Sequence, residues 1–264
     1  MNWGRAKTIL IILFLVIDLI LLGSLCVVNN DVNNIKEKTA LDTCAVLESH
    51  DIHIKRQQIP LKRVLNVLLN FENLTAFPEK MAERFLEKEY VQTETGYVKE
   101  SESISFSEGK FFYENSRDIM PCESFNQIKK HIFKDMKKFG FKEKELSIGN
   151  AFVENGICYA QVLMKYDGKT VIGTEMNLEA DLSGIRKLSG RYFDLKKAEK
   201  TGDKLTDITS LLCNMIYNPD YFGLEINNIS DVYYIDSEYI DGAEVYGEAA
   251  YAVCADNGRL IILK

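Results

Sequence analysis

The sequence predicts an α+β protein carrying one apolar helix at its N-terminus, on three observations. Stretches with helical spacing of apolar residues are separate from stretches where apolar and polar residues alternate. The alternating runs follow one another across short Asn-Gly, Asp-Gly and Ser-Gly turns, which pairs them as antiparallel meanders rather than βαβ crossovers. Hydrophobicity is unevenly placed: residues 9–28 hold 17 hydrophobic residues out of 20, within a 264-residue chain that is 46% hydrophobic, 27% charged and of net charge −7. Those averages exclude collagen-like, disordered, polytopic-membrane and disulfide-dense classes.

The first element is the apolar helix. Residues 8–28 are 21 positions with Asp18 as their one charge. At about 1.5 Å per residue they span roughly 31 Å, close to a hydrocarbon core of about 30 Å. Arg5, Lys7 and the amino terminus precede the helix and Asn29, Asn30 and Asp31 follow it. The positive-inside bias therefore places residues 1–7 in the cytoplasm and everything after residue 28 outside the cell membrane. Trp3, the one tryptophan, falls at headgroup level, so Trp3, Arg5 and Lys7 are the expected interface anchors. A cleaved signal peptide is the competing reading, but in Gly23-Ser24-Leu25-Cys26 a leucine stands where a lipoprotein site needs a small residue.

Asp18 is the eleventh of the 21 residues, at the bilayer centre. Insertion there costs about 2.5–3.5 kcal/mol, which the flanking Leu, Ile, Val and Phe residues outweigh at up to about 0.3–0.6 kcal/mol each. The functional reading of that cost is a polar contact with another transmembrane helix through a neutral carboxyl; the plain reading is a tolerated, protonated passenger.

Met1-Asn2-Trp3-Gly4-Arg5-Ala6-Lys7-Thr8-Ile9-Leu10-Ile11-Ile12-Leu13-Phe14-Leu15-Val16-Ile17-Asp18-Leu19 resembles the opening of the YycI family, in which a Trp, two basic residues and Lys-Thr-Ile precede an apolar span with a mid-membrane Asp or Asn. The match is close over these residues and one of pattern and length beyond them. The resemblance implies a single-pass protein of a Gram-positive bacterium. With a YycH-like membrane partner, it would bind and regulate a sensor histidine kinase of the YycG (WalK) type, in two-component control of cell-wall homeostasis. It also implies an α+β body related to domains of YycH. One departure is in the last strands, where the family often has Trp and this chain has Tyr251 and Val253.

The body, residues 29–264, has a net charge of −8 once Arg5, Lys7 and Asp18 are removed from the totals. An acidic body disfavours nucleic acid. Residues 29–49 read as a juxtamembrane helix, with Val32, Ile35, Leu41, Cys44, Ala45 and Leu47 as its stripe. In the next part, residues 50–120, a strand is expected over 51–59 and either a strand or a short helix over 61–69. A helix opened by Pro78 follows over 78–89, and a hairpin turns at Glu108-Gly109 within 96–115. Residues 121–264 form the helix-plus-meander region. It opens with a helix over 124–139, supported by a Ser124–Gln127 capping box, Gly140 as C-cap and a stripe of Phe125, Ile128, Ile132, Met136 and Phe139. A four-stranded meander over 146–195 turns at Asn155-Gly156, Asp167-Gly168 and Ser183-Gly184. A helix over 203–217, stopped by Asn218-Pro219, precedes strands over 224–235, 244–255 and 259–263. The recurring order leaves both one unit and two related units open.

Catalytic chemistry is not expected. Six cysteines at positions 26, 44, 122, 158, 213 and 254 have no metal-type spacing; Cys26 falls in the apolar span, the five others are an odd number for a complete disulfide framework, and Cys44, Cys158, Cys213 and Cys254 fall on apolar faces and read as small core residues. His50 and His53 lack a ligand signature, and His131 lies among Lys129, Lys130 and Lys134 on a solvated face that also suits phosphate headgroups. GxSxG, Walker and GxGxxG-helix patterns are absent. Asp231, Asp236, Glu238 and Asp241 alternate with Tyr and Ile, as an exposed strand and loop do, rather than forming a glycosidase pair. The expectation is therefore a non-enzymatic protein with no cofactor and no metal, and the resemblance to the YycI family implies that its role is regulatory. The alternative is a membrane-tethered extracytoplasmic module that holds a peptide or cell-wall ligand on its sheet.

Overall fold

The computed structural model describes residues 7, 11, 13–24, 34–236, 238–240 and 242–264. Residues 13–24 are helical and exposed, and the Ser24 hydroxyl donates to the Leu21 carbonyl at 2.8 Å. Among the described residues no helix is long and apolar enough to cross a membrane. Positions 8–10, 12 and 25–28 of the expected span lie outside them.

In chain order the elements are α1 (Glu37–Glu48), β1 (His53–Ile54), β2 (Leu65–Asn73), α2 (Pro78–Leu86), β3 (Val91–Gln92), β4 (Gly96–Lys99), β5 (Glu102–Ser107), β6 (Lys110–Asn115), α3 (Phe125–Lys138), β7 (Leu146–Glu154), β8 (Ile157–Tyr166), β9 (Lys169–Asp181), β10 (Gly184–Gly190), β11 (Phe193–Lys204), α4 (Ile208–Asn214), β12 (Glu225–Ile235), β13 (Glu244–Ala255) and β14 (Leu260–Leu263). The class is mixed α+β, as expected. Two compact units divide them, one of residues 1–64, 204–230 and 253–264, the other of residues 65–203 and 231–252.

In the first unit α1 turns Ala40, Thr43 and Leu47 inward. The expected stripe is thus corrected: Leu41 is 51% exposed, and the buried face of α1 instead carries Ala40 and Thr43 beside Leu47. Helix α4 is shorter than the sequence suggests. It is capped by Asp207, whose carboxylate accepts from the Thr209 amide at 2.9 Å, and its last turn tightens into a 3-10 turn over Met215–Tyr217. The strand expected over 51–59 reduces to β1, which pairs parallel with Glu225 and Ile226 of β12. The Arg63 guanidinium meets the Asp207 carboxylate at 3.0 Å.

The second unit is built on a sheet. Strands β7 to β10 form the expected meander, and positive φ at Asn155, Gly156, Asp167 and Gly168 gives the left-handed turn conformations that two-residue hairpins need. Strand β6 extends the sheet beyond β10, followed by β5, β4 and β3. On its other part β9 pairs parallel with β12 through Val171 and Ile172, which departs from an all-antiparallel expectation. Gly173, at φ +96°, sits at that changeover, where a Cβ would come within 2.9 Å of the Ile235 carbonyl.

Helices α2 and α3 cover one face of this sheet. Alternation sends Phe111, Tyr113, Cys158, Ala160, Val162, Met176, Leu178 and Leu188 into a core shared with Met81, Phe85, Ile128, Ile132 and Met136. Phe85 stacks on Phe139 with centroids 4.3 Å apart and also meets Phe111 and Tyr113. The capping box is corrected: Ser124 is the N-cap by position, but Gln127 reaches past it and accepts from the Glu123 amide at 2.8 Å.

Candidate binding site

With one face of the sheet covered, the other alternating set faces outward from β6, β10, β9, β8 and β7. Strand register places these side chains in two rows. Phe112, Ser189, Asn177, Gln161 and Gly149 are paired across the five strands in one row. Glu114, Lys187, Glu179, Tyr159 and Phe152 form the next. The centre of the first row carries short or amide side chains and its end carries a ring, so the surface dips between aromatic walls.

This trough has a volume of about 480 Å3. At one end Phe112 is 42% exposed; at the other Phe152, 56% exposed, stacks on Tyr159 with centroids 5.3 Å apart and planes 20° from parallel. Rings this exposed contribute little to the core and offer flat apolar faces to a ligand. The β7 register breaks between Gly149 and Phe152, and Asn150, in the break, has φ +50° and lines the trough. A bulge re-aims side chains, here turning an amide into the cavity. Lys187 meets Glu179 at 3.6 Å, so the charged row partly neutralises itself. An adjoining hollow of about 350 Å3 shares Gln161 and Asn177 and adds Lys110, Glu175, Arg191 and Tyr234.

A second hollow of the same unit, about 470 Å3, is lined by Phe141, Tyr166, Tyr192 and Phe193 with Lys144 and Lys165. Its central tyrosine is structural. The Tyr192 hydroxyl accepts from Arg84 at 2.7 Å and donates to the Phe139 carbonyl at 3.1 Å, and its amide donates to Thr75 Oγ1 at 2.8 Å. Burial pushes the Tyr192 phenol up to about 12.

Other polar groups singled out in the sequence do not converge on chemistry. His53 and Asp51 pair at 3.2 Å with both side chains exposed, and His131 is exposed on α3. Asp231 pairs with Lys169 at 3.6 Å, Asp236 accepts from the Glu238 amide at 3.1 Å, and Asp241 lies outside the described residues. Among the described residues no group of three or more His, Cys, Asp or Glu is placed to hold a metal. Cys122 and Cys158 are buried free thiols, and burial pushes Cys158 up to about 11, which suits packing rather than nucleophilic work. Asp18 and Lys7 are helical and exposed, whereas Trp3 and Arg5 lie outside the described residues. Sequence reasoning did not single out the trough; its signal was the pair of outward aromatics, Phe112 and Phe152, in strands that already had a complete inward set.

No family model and no curated protein matches the chain. Among solved structures, an uncharacterized protein from Eubacterium rectale ATCC 33656 aligns over 80% of this chain and 84% of its own, at 12% identity and a TM-score of 0.43. The C-terminal domain of YpeB from Bacillus megaterium aligns over 71% of this chain and 96% of its own, at 10% identity and a TM-score of 0.36. Likeness at these scores fixes neither fold nor function.

Proposed function

We propose that this chain is a non-enzymatic, membrane-anchored regulator of a two-component sensor histidine kinase of the YycG/WalK type, acting with a YycH-like partner. The observation that carries this reading is Asp18: a carboxyl group midway along an apolar helix, exposed on that helix, within residues that resemble the YycI opening. Influence on a kinase then passes through helix packing in the membrane or through contacts of the extracytoplasmic body, and either must differ between the kinase's two states. Asp18→Leu is expected to leave membrane insertion intact and to reduce co-purification with the kinase or the YycH-like protein after in-cell crosslinking. Unchanged capture of both would refute the assignment.

A second reading is supported by the trough: a tethered module that captures an extracytoplasmic ligand on the open sheet face. It does not require the kinase, and ligand binding by the protein without that kinase present separates the two.

A further inference from the structure

The trough crosses the strands rather than running along them. From Phe112 on β6 to Phe152 on β7 there are four strand-to-strand steps, about 19 Å at the usual spacing. Its floor lies mid-sheet, where backbone amides and carbonyls are committed to the ladders on both sides of β8, β9 and β10. Recognition there falls to side chains, so an added peptide strand, which needs a free edge, is a poor occupant.

The side chains define the ligand's chemistry. Asn177, Gln161 and Asn150 both donate and accept, and Ser189 does so through one hydroxyl. That inventory matches hydroxyl and acetamido groups, which also do both. The charged row of Glu114, Lys187 and Glu179 has two carboxylates to one ammonium, and that ammonium already faces Glu179, so a phosphate or other polyanion meets net repulsion. The stacked Phe152–Tyr159 pair and Phe112 present ring faces of negative quadrupole, to which the C–H bonds of a pyranose face are complementary. Successive sugars in an extended β-linked chain advance by about 5 Å, close to the roughly 4.8 Å between strands, so each unit falls over one strand.

We propose that the trough binds a neutral, extended β-linked glycan, its end units stacking on Phe112 and on the Phe152–Tyr159 pair and its middle units bonded by Asn177 and Gln161. This assignment rests on the ligand-capture reading and is independent of the kinase.

The test uses the full chain in phospholipid nanodiscs without glycolipid, titrated with the β-1,4-linked N-acetylglucosamine tetramer and followed by calorimetry. Saturable binding with a Kd on the order of 0.1–1 mM is expected. Phe152→Ala and Asn177→Ala should each weaken it, the former about tenfold, with unchanged melting temperature because both side chains are exposed. Phe222→Ala, an exposed ring in the other unit, should leave binding unchanged. No saturation by about 10 mM, or binding indifferent to Phe152→Ala and Asn177→Ala, overturns the glycan site. Phe152-dependent binding of tetra-lysine in place of the glycan overturns the ligand class while leaving ligand capture standing.

Discussion

Asp181 shows at the level of one residue how the second unit is tied together. Its side chain is fully buried, which pushes the carboxyl up, yet hydrogen bonds outweigh burial and hold it below the usual carboxylate range. The Ser183 amide donates at 2.7 Å, the Met120 amide at 3.1 Å and Arg186 at 3.3 Å, with the Ser183 hydroxyl as a further donor. One carboxylate thereby joins the segment before α3 to the β9–β10 turn. Asp181→Asn keeps the shape but removes the charge Arg186 answers and puts an NH2 where acceptors are needed. The expected cost is about 3–5 kcal/mol in denaturant unfolding at pH 7. The sign with pH follows from the lowered value: this stabilisation is complete above the ordinary carboxylate pKa of about 3.9 and is lost as pH falls through the folded one. The gap between wild type and variant should therefore narrow in unfolding curves taken from pH 7 down to progressively lower pH below about 3.9. A constant gap across that range would mean the charge is irrelevant to the fold. None of this was legible in the sequence, where Asp181 reads only as a polar residue before a turn.

At the scale of elements, the β9–β10 hairpin is clamped to α3 at Gly184, which has φ +116°. Asp135 of α3 accepts from the Ile185 amide at 2.7 Å, and a Cβ on Gly184 would collide with that same carboxylate. Gly184→Ala combines backbone strain with loss of the clamp, an expected destabilisation of about 2–3 kcal/mol, with faster amide exchange at Ile185 and along β10. Phe85→Ala should cost about 3–5 kcal/mol by emptying the aromatic cluster between α2, α3 and the sheet, measured in the same denaturation assay. The hairpins were legible because each turn is written in a dipeptide such as Asn155-Gly156. Helix α3 was legible from its five-residue stripe. Strand β11 was not: residues 196–204 are dominated by Lys, Glu and Asp, and they become a strand because β2 offers an edge to pair with. The trough was half legible, since Phe111, Phe112 and Tyr113 put rings on both faces of β6 and only the position of the helices decides which face stays open.

For the molecule as a whole, the division into units interleaves distant stretches of chain, which no local pattern announces. Charge and hydropathy were the large-scale features the sequence did carry, and they separate an acidic body from an apolar N-terminus. The consequence concerns anchoring. Sixteen Leu, Ile, Val and Phe residues in positions 8–28 supply a favourable transfer that one central aspartate reduces without cancelling. The full chain is therefore expected to stay in the membrane pellet through alkaline carbonate extraction, while a form lacking residues 1–28 moves to the soluble fraction. Asp18→Leu adds an apolar residue where a carboxyl stood, so extraction should become no easier even as kinase capture falls. Release of the full-length chain by carbonate would remove the anchor, and with it the route proposed for Asp18 to reach a partner helix. Retention of the shortened form would instead assign membrane association to the body.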